Sequence, residues 1–290
     1  MEKLSKYFLS IFVLFLAFSC AEKSKDYSAL SKEKRKKISS EVFDGGSHLP
    51  QGSPKSMTRI EEAIAIDPDN CDAVRELSVA YLKRGMPNKW KIEMDKAVAC
   101  NAAIWQPYRG YNYLWFYRDY KKAIADFDAS DTLTPNFTDA PQGHSVDYWR
   151  GIAYLGLRDY EKSISYFDKY LTQITEESGE DWAEPTAFLY RGIAYYEKRN
   201  FEEALKDFNK LLFYNKDRFA DGKYYKALIL KEKEDCETAR QLLAEAETDF
   251  ANGYYNNRHY VETLYQIYPQ DFEKLNTELK TQCQNKNETY

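Results

Sequence analysis

The sequence predicts an all-α protein built from repeated pairs of helices, an α-solenoid. The stretch RGIAY occurs twice, at Arg150–Tyr154 and at Arg191–Tyr195, 41 positions apart. Each copy stands in an apolar pattern of helical period, followed by a turn and a second such pattern. A third, looser copy surrounds Gly110, which precedes Gly151 by the spacing that separates Gly151 from Gly192. Because one helix pair cannot bury its apolar face alone, at least three are expected to stack.

The composition agrees with aromatic-packed helices. The 290 residues include 25 Tyr and 16 Phe but only 12 Gly and 9 Pro, which favours helices over turn-rich β-structure. The formal net charge is −5. Because phosphate binding requires a basic surface, no nucleic-acid partner is expected.

The N-terminus has the pattern of an export signal. Lys3 and Lys6 precede an apolar run over residues 7–18, which is shorter than the roughly 20 residues of a spanning helix. The run ends in FLAFSC and resembles a bacterial lipoprotein signal, in which the cysteine is lipidated and becomes the first mature residue. The resemblance implies a signal peptide over residues 1–19, a lipid anchor on Cys20 and an outer-membrane location. An ordinary signal peptide cut near Cys20 and an uncleaved anchor remain alternatives.

Three further segments follow the signal. Residues 20–53 end in a stretch rich in Gly, Pro and Ser, and they predict a flexible linker, shortened by any helix near residues 29–39. Residues 54–249 carry the repeats. Residues 250–290 predict a helical cap and tail, with an apolar stripe of Val261, Leu264, Tyr265 and Tyr268 before Pro269.

The repeated units resemble the tetratricopeptide repeat, a helix-turn-helix unit with a small residue and Tyr in its first helix and a small residue and Phe in its second. The resemblance implies a right-handed α-solenoid of about five helix pairs, closed by a C-terminal capping helix segment. The matching positions are Gly110, Tyr113, Ala123 and Phe127; Gly151, Tyr154, Ser163 and Phe167; and Gly192, Tyr195, Ala204 and Phe208.

Local signals support the turns. Asn200 with Glu203 forms a capping-box pattern that opens a second helix, and Asp159 and Asp235 occupy the same N-cap position. The spacing of 41 exceeds the usual period of about 34. Most extra residues fall in NFTDAPQGHSVD and TEESGEDWAEP, which we expect on one edge of the solenoid, as a binding surface or as tolerated surface loops.

Catalytic motifs are missing from the sequence. The three histidines, His48, His144 and His259, show no metal-ligand spacing. The sequence contains no Gly-rich phosphate loop, CxxC pair or GxSxG elbow. We therefore expect neither an enzyme nor a bound metal or cofactor.

In the family that the repeats resemble, the first helices line a concave groove that holds a ligand. The residues at those positions here are aromatic, and such side chains stack on peptide side chains or on sugar rings. Thickening of the core is the alternative, and the groove is favoured for Tyr148, Tyr190 and Tyr224, which share one repeat position. The predicted groove residues are Tyr108, Tyr111, Trp115, Tyr148, Trp149, Tyr190, Tyr196, Tyr224 and Tyr225.

These observations predict a membrane-tethered scaffold of the bacterial cell envelope that binds a partner protein or peptide. The aromatic groove leaves a glycan-binding lipoprotein open as an alternative. An accessory component of an outer-membrane assembly machinery is a second alternative, since repeat-bearing lipoproteins of this kind serve there.

The remaining cysteines predict a disulfide. Four cysteines follow Cys20, and an even number in an exported protein favours pairing. In an antiparallel helix pair the repeat positions in contact keep a constant sum, which Cys71 and Cys100 satisfy at the two ends of the first repeat. Two buried thiols are the alternative, and the pairing of Cys236 and Cys283 stays open.

Non-reducing peptide mapping of exported protein tests this pairing. We expect one cross-linked peptide that contains Cys71 and Cys100, and Cys71→Ser should add one alkylatable thiol, whereas Cys283→Ser should add none. Closing a loop of about 30 residues stabilises a fold by on the order of 3 kcal/mol in the chain-entropy model. Alkylation of both Cys71 and Cys100 in the wild type would refute the pairing.

Overall fold

The computed structural model describes residues 26–287, and within them the fold is all-α, with no β-strand. The signal peptide predicted over residues 1–19 and the predicted lipidation site, Cys20, lie outside the described residues. None of the helices within the described range combines the length and apolar composition that crossing a bilayer requires. The helices are α1 (Lys32–Ser47), α2 (Pro54–Ile66), α3 (Cys71–Lys83), α4 (Pro87–Cys100), α5 (Ala102–Phe116), α6 (Tyr120–Leu133), α7 (Val146–Gly156), α8 (Tyr160–Glu177), α9 (Pro185–Glu197), α10 (Phe201–Tyr214), α11 (Ala220–Glu232), α12 (Cys236–Ala251) and α13 (Pro269–Asn287).

The chain forms two compact units that divide between Ala73 and Val74. In the first unit α1 packs against α2. The buried Ser39 donates its hydroxyl to the carbonyl oxygen of Ala63 at 2.8 Å, and it accepts a hydrogen bond from the Asn70 amide at 2.9 Å. These bonds tie the first helix to the end of the second.

Helix α1 replaces much of the flexible linker predicted over residues 20–53. It begins after Ser31, whose hydroxyl accepts a hydrogen bond from the Lys34 amide. The glycine pair that predicted a break lies inside its last turns. A Cβ on Gly46 would lie 2.8 Å from the Cβ of Arg59, so glycine permits a close approach of α1 and α2 there.

The second unit is the predicted solenoid of stacked helix pairs. Antiparallel neighbours pair as α5 with α6, α7 with α8, α9 with α10 and α11 with α12, and each pair packs on the next. In the preceding pair, α3 and α4, the hydroxyl of Ser78 lies 3.6 Å from the sulfur of Met94. The degenerate repeat thus uses a serine and a methionine where the later ones use glycine and phenylalanine.

In the three regular repeats, a glycine of the first helix packs against the phenylalanine ring of the second. An added Cβ at each glycine would overlap that ring, so no larger residue fits without movement. The distances from such a Cβ to the nearest ring atom are 2.7 Å for Gly110 and Phe127, 2.8 Å for Gly151 and Phe167, and 2.6 Å for Gly192 and Phe208.

The arginine that precedes each of these glycines joins successive repeats. Arg191 donates to Asp207 of its own second helix at 2.8 Å and to Asp168 of the preceding repeat at 2.6 Å. The bidentate geometry fixes both helices relative to α9. Arg109 makes the equivalent contacts with Asp126 and Asp95. Arg150 differs, since it contacts Asp128 and Asp131 of the preceding second helix and Asp147 of its own helix α7.

The predicted N-caps are confirmed. The side chains of Asp159, Asn200 and Asp235 each accept a hydrogen bond from the amide three residues later. Asp119 caps α6 in the same way. The second helix of every regular repeat therefore starts with the same local geometry.

The two inserts are held by specific hydrogen bonds. The first contains a short 3₁₀ helix, Pro141–Gly143, whose Pro141 carbonyl accepts from the indole of Trp149 at 2.9 Å. The second contains the 3₁₀ helix Glu180–Trp182, and the Tyr214 hydroxyl donates to Glu180 at 2.6 Å. Both inserts thus lie beside the repeats that flank them.

The C-terminal region differs from the expected cap over residues 261–268. Residues 252–268, called the strap below, are not helical, and α13 starts only at Pro269. The apolar stripe of Val261, Leu264, Tyr265 and Tyr268 therefore does not form one helix face. The cap itself is α13, whose apolar side packs on α12 through Phe272, Leu275, Leu279, Leu243 and Ala246.

The contact between Gly192 and Phe208 predicts the effect of one methyl group. Gly192→Ala should lower the free energy of unfolding by about 1–3 kcal/mol, because the fully buried ring must move. Chemical denaturation measures this. The control is Gly45→Ala, where an added Cβ meets open space within a helix and should be neutral or stabilising. A Gly192→Ala denaturation curve equal to that of the wild type would contradict the close approach.

Candidate peptide-binding surface

The nine aromatic residues predicted to form a groove all lie on the first helices α5, α7, α9 and α11. We call them the aromatic wall. Five are buried and four are half-buried, so the wall is part core and part surface. The buried members are Trp115, Tyr148, Trp149, Tyr190 and Tyr225, and the half-buried members are Tyr108, Tyr111, Tyr196 and Tyr224.

Tyr148 and Tyr190 are 2% and 1% exposed, and their hydroxyls have protein partners. The Tyr148 hydroxyl shares a hydrogen bond of 2.6 Å with Thr186, and the Tyr190 hydroxyl accepts one of 2.9 Å from the Asn256 amide. Neither ring presents an open face in this conformation, whereas Tyr224 is half-buried. Contact of these tyrosines with a partner stays a prediction.

The rings of α5 and α7 contact one another around Trp149. Its ring centroid lies 5.2 Å from that of Tyr111, 6.1 Å from that of Trp115 and 4.7 Å from that of Tyr148. All three pairs meet edge-to-face, the arrangement that aromatic quadrupoles favour. The result is one continuous aromatic surface across two repeats.

The strap covers this surface, and Asn256 is one of its two buried polar residues, with Thr263. The Asn256 backbone N–H donates to the Asp221 carboxylate at 2.8 Å, while its side-chain amide donates to Tyr190. Thr263, 1% exposed, donates its hydroxyl to the Asn256 carbonyl at 3.3 Å. The backbone N–H, the side-chain amide and the backbone carbonyl of Asn256 therefore each have a hydrogen-bond partner.

Arg258 sits over the rings of α5 and α7. Its guanidinium carbon lies 4.6 Å from the ring centroid of Trp115, 5.3 Å from that of Trp149 and 5.6 Å from that of Tyr111. It also donates a hydrogen bond of 2.8 Å to the Tyr111 hydroxyl. Among the residues whose side chains are described, no carboxylate forms an ion pair with it. Arg258 is thus held by an aromatic cage.

The strap turns back on itself beyond Arg258. An antiparallel bridge joins Arg258 to Val261, and Tyr260 takes a left-handed φ of 71° at the turn. The outer contacts of the strap are those of Tyr260 with Lys83, Glu262 with Arg118 and Tyr265 with Tyr160.

Sequence reasoning missed Asn256 and Arg258, because residues 250–290 were assigned as a whole to the cap, and it also missed Asp221 of α11. The polar run NNR between the aromatic pairs YY and HY was the available signal. The aspartate in the first turn of α11 was a weaker signal, since a carboxylate that becomes buried there requires partners.

Burial changes the acidity of several groups at this surface. It raises the pKa of Asp221 to about 7, against the opposing effect of the hydrogen bond from Asn256. It raises the pKa of Tyr108 to about 12, with Arg75 opposing. Burial also lowers the pKa of His144. Asp221 therefore titrates near neutral pH.

The inserts form a second surface. A cavity of about 360 Å³ is lined by residues of both inserts, among them His144 and Glu184, and by Tyr170 of α8. Beside it Trp182 and Phe137 are 71% and 68% exposed. These side chains are the most exposed aromatic residues of the inserts.

The remaining predicted sites are placed as follows. Within residues 26–287, no three His, Cys, Asp or Glu side chains lie close enough to hold a metal ion. Cys71 is the first residue of α3 and Cys100 the last of α4, and their pairing stays a prediction. Cys236 and Cys283 are not joined to each other by a disulfide.

The family model of the tetratricopeptide repeat matches residues 189–254, which include α9, α10, α11 and α12. This part of the chain carries tetratricopeptide repeats. None of the curated protein sequences matches it.

Solved structures share the tetratricopeptide-repeat fold at low sequence identity. PilF of Pseudomonas aeruginosa is 16% identical, with a TM-score of 0.60 over 85% of this chain and 99% of its own. PilW, described as a widely conserved type IV pilus biogenesis factor, is 16% identical, with a TM-score of 0.56 over 76% of this chain and 94% of its own. MamA of Desulfovibrio magneticus RS-1 is 17% identical, with a TM-score of 0.52 over 63% and 97%.

The raised pKa of Asp221 predicts a pH-dependent stability of the tetratricopeptide-repeat unit. At pH values between the ordinary pKa of an aspartate, about 3.9, and the pKa of about 7 in the folded protein, Asp221 is protonated in the folded state and ionised in the unfolded state. The stability that protonated Asp221 contributes is therefore fully present below about pH 4 and is lost as the pH rises through about 7.

Asp221→Asn keeps an oxygen acceptor for the Asn256 N–H and does not titrate. We expect the free energy of unfolding of the wild type to fall relative to that of Asp221→Asn between pH 5 and 8, measured by urea denaturation. Asp217→Asn, whose side chain is 76% exposed, is the control and should follow the wild type. Parallel profiles for wild type and Asp221→Asn would rule out the titration.

Proposed function

We propose that the chain is a membrane-tethered scaffold of the bacterial cell envelope whose repeats bind a partner protein or peptide. Tetratricopeptide-repeat proteins bind protein partners, and the broad role of an interaction scaffold follows from the fold. The observation that carries the proposal is the aromatic wall with an extended segment of polypeptide already seated on it.

The envelope location is supported by two observations. The N-terminal residues have the pattern of a lipoprotein signal ending at Cys20. The similar structures include PilW, a pilus biogenesis factor by its description. A role in assembling an envelope structure is therefore the most specific form of the proposal.

A protein partner is favoured over a glycan by the occupancy of the wall. Stacking of a sugar ring requires an open indole or phenol face. The rings of Trp115 and Trp149 are buried beneath Arg258, and that of Tyr190 beneath Asn256. A polypeptide reproduces the contacts of the strap, whereas a sugar ring replaces them with different ones.

Site-specific photo-cross-linking in intact cells tests the scaffold. A cross-linking residue in place of Tyr196, on the wall, should yield a single major protein adduct. The same residue in place of Glu202, an 81% exposed position on α10, is the control and should yield little. Equal adducts at both positions would refute a partner on the wall, and retention of the protein on envelope polysaccharide would favour the glycan alternative.

The tether has its own test. Metabolic labelling with a fatty-acid analogue should mark the wild type. Cys20→Ser should abolish the label and release the protein from membranes, because this cysteine would carry the acyl chains. Stable anchoring requires more than one such chain. Cys283→Ser is the matched control and should stay labelled and membrane-bound. A label that persists in Cys20→Ser would overturn the lipoprotein assignment.

A further inference from the structure

We infer that the strap is a built-in competitor for the aromatic wall, and that the ligand which replaces it is an extended peptide carrying the pattern Asn-x-Arg. This inference rests on the proposed function, because it specifies the ligand of the same wall. It departs from the simpler view in which the strap is only a connection between α12 and α13.

The strap is attached at both ends by contacts that do not involve Asn256 or Arg258. At its start, Tyr255 packs on Phe250 of α12 with ring centroids 4.4 Å apart. At its end, Ile267 is buried in the cluster that joins α13 to α12. Residues 256–266 lie between these anchors. They can therefore leave the wall while α13 stays docked.

Two residues of the strap occupy sites with distinct chemistry. The first site is polar and buried. There the Tyr190 hydroxyl accepts a hydrogen bond from the side-chain amide of Asn256, and the Asp221 carboxylate accepts one from its backbone N–H. The second is the cage of Trp115, Trp149 and Tyr111 around Arg258. Because a planar guanidinium stacks on rings and still donates to Tyr111, this site selects arginine over lysine.

The way Arg258 is held makes it exchangeable. Its described partners are aromatic rings and one neutral hydroxyl, so its departure leaves no buried carboxylate without a counter-charge. In the outer ion pair of the strap, between Glu262 and Arg118, both side chains are exposed to solvent. This pair therefore contributes little to the free energy that holds the strap on the wall. An incoming arginine side chain would regain the same contacts that Arg258 gives up.

Tethering sets how strongly the strap competes. A segment fixed at both ends has an effective concentration on the order of 1 mM. If the free strap sequence bound the open wall with a Kd of about 10 μM, the strap would occupy the wall in about 99% of molecules. A ligand of equal intrinsic affinity would then bind about 100-fold more weakly to the wild type than to an open variant.

The experiment uses a full-length variant in which residues 256–266 are replaced by a Gly-Ser sequence of the same length. The probe is a fluorescent synthetic peptide of residues 252–268, and binding is followed by fluorescence anisotropy. We expect micromolar binding to the Gly-Ser variant and at least 10-fold weaker binding to the wild type. A peptide with Arg258→Ala should bind at least 10-fold more weakly, whereas one with His259→Ala, an exposed position, should bind as the parent does.

Several results would overturn the inference. They are a folded Gly-Ser variant that does not bind the peptide, equal binding of the Arg258→Ala peptide, and equal binding to wild type and variant. Dimers formed between the Gly-Ser variant and the wild type in size-exclusion chromatography would assign the wall to the strap of a second copy, which also contradicts a foreign ligand.

A second variant covers the case in which the Gly-Ser chain fails to fold. Arg258→Ala in the full chain should keep the helical circular dichroism of the wild type and bind the peptide more tightly than the wild type does. If it binds no better, the strap is a structural element and the inference fails. Peptide binding in vitro without an adduct at Tyr196 in cells would leave this inference standing and would reject the proposed function instead.

Discussion

The contact between glycine and phenylalanine inside each regular repeat determines the rest of the second unit. With no Cβ at Gly151 or Gly192, the ring of Phe167 or Phe208 rests directly on the first helix. The helices of a pair are thereby held close along their length. The adjacent arginine then reaches carboxylates on neighbouring helices: Arg191 bonds to the second helices of two successive repeats. Arg150, at 1% exposure, bonds to the preceding second helix and to Asp147 of its own helix. The repeated RGIAY stretch thus combines the residue that sets the spacing within a pair with the residue that joins the pairs.

Burying an arginine costs free energy of desolvation. We therefore interpret its role as fixing the register in which neighbouring helices stack. Replacing a buried ion pair by apolar residues is often neutral for stability, while removing one partner is strongly destabilising. Arg191 has Asp207 in its own repeat and Asp168 in the preceding one. A slip of either helix by one residue would separate the guanidinium from one of these carboxylates, of which Asp207 is buried. The arginines therefore favour one stacking of the repeats over others of similar apolar burial.

The repeats could be predicted from sequence because their signals are local. Glycine, tyrosine and phenylalanine recur within about 20 residues, and Asp159 and Asn200 cap helices three residues away. The strap could not, since its contacts join residues far apart: Asn256 meets Tyr190 at a separation of 66, and Arg258 meets Tyr111 at 147. The same distance explains why the sequence did not show that neighbouring repeats and the strap cover Tyr148 and Tyr190.

The buried groups under the strap connect its position to pH. Burial raises the pKa of Asp221 to about 7, and its described hydrogen-bond donor from the strap is the Asn256 N–H, which opposes that rise. When the strap leaves, water reaches the carboxylate and the cost of ionising it falls. The open state therefore binds the Asp221 proton more weakly than the closed state does. By linkage, raising the pH through about 7 must shift the equilibrium towards the open wall, as long as the other groups around Asp221, such as Tyr190 with its raised pKa, stay neutral. A single buried carboxylate thus couples access to the aromatic wall to the acidity of the surroundings.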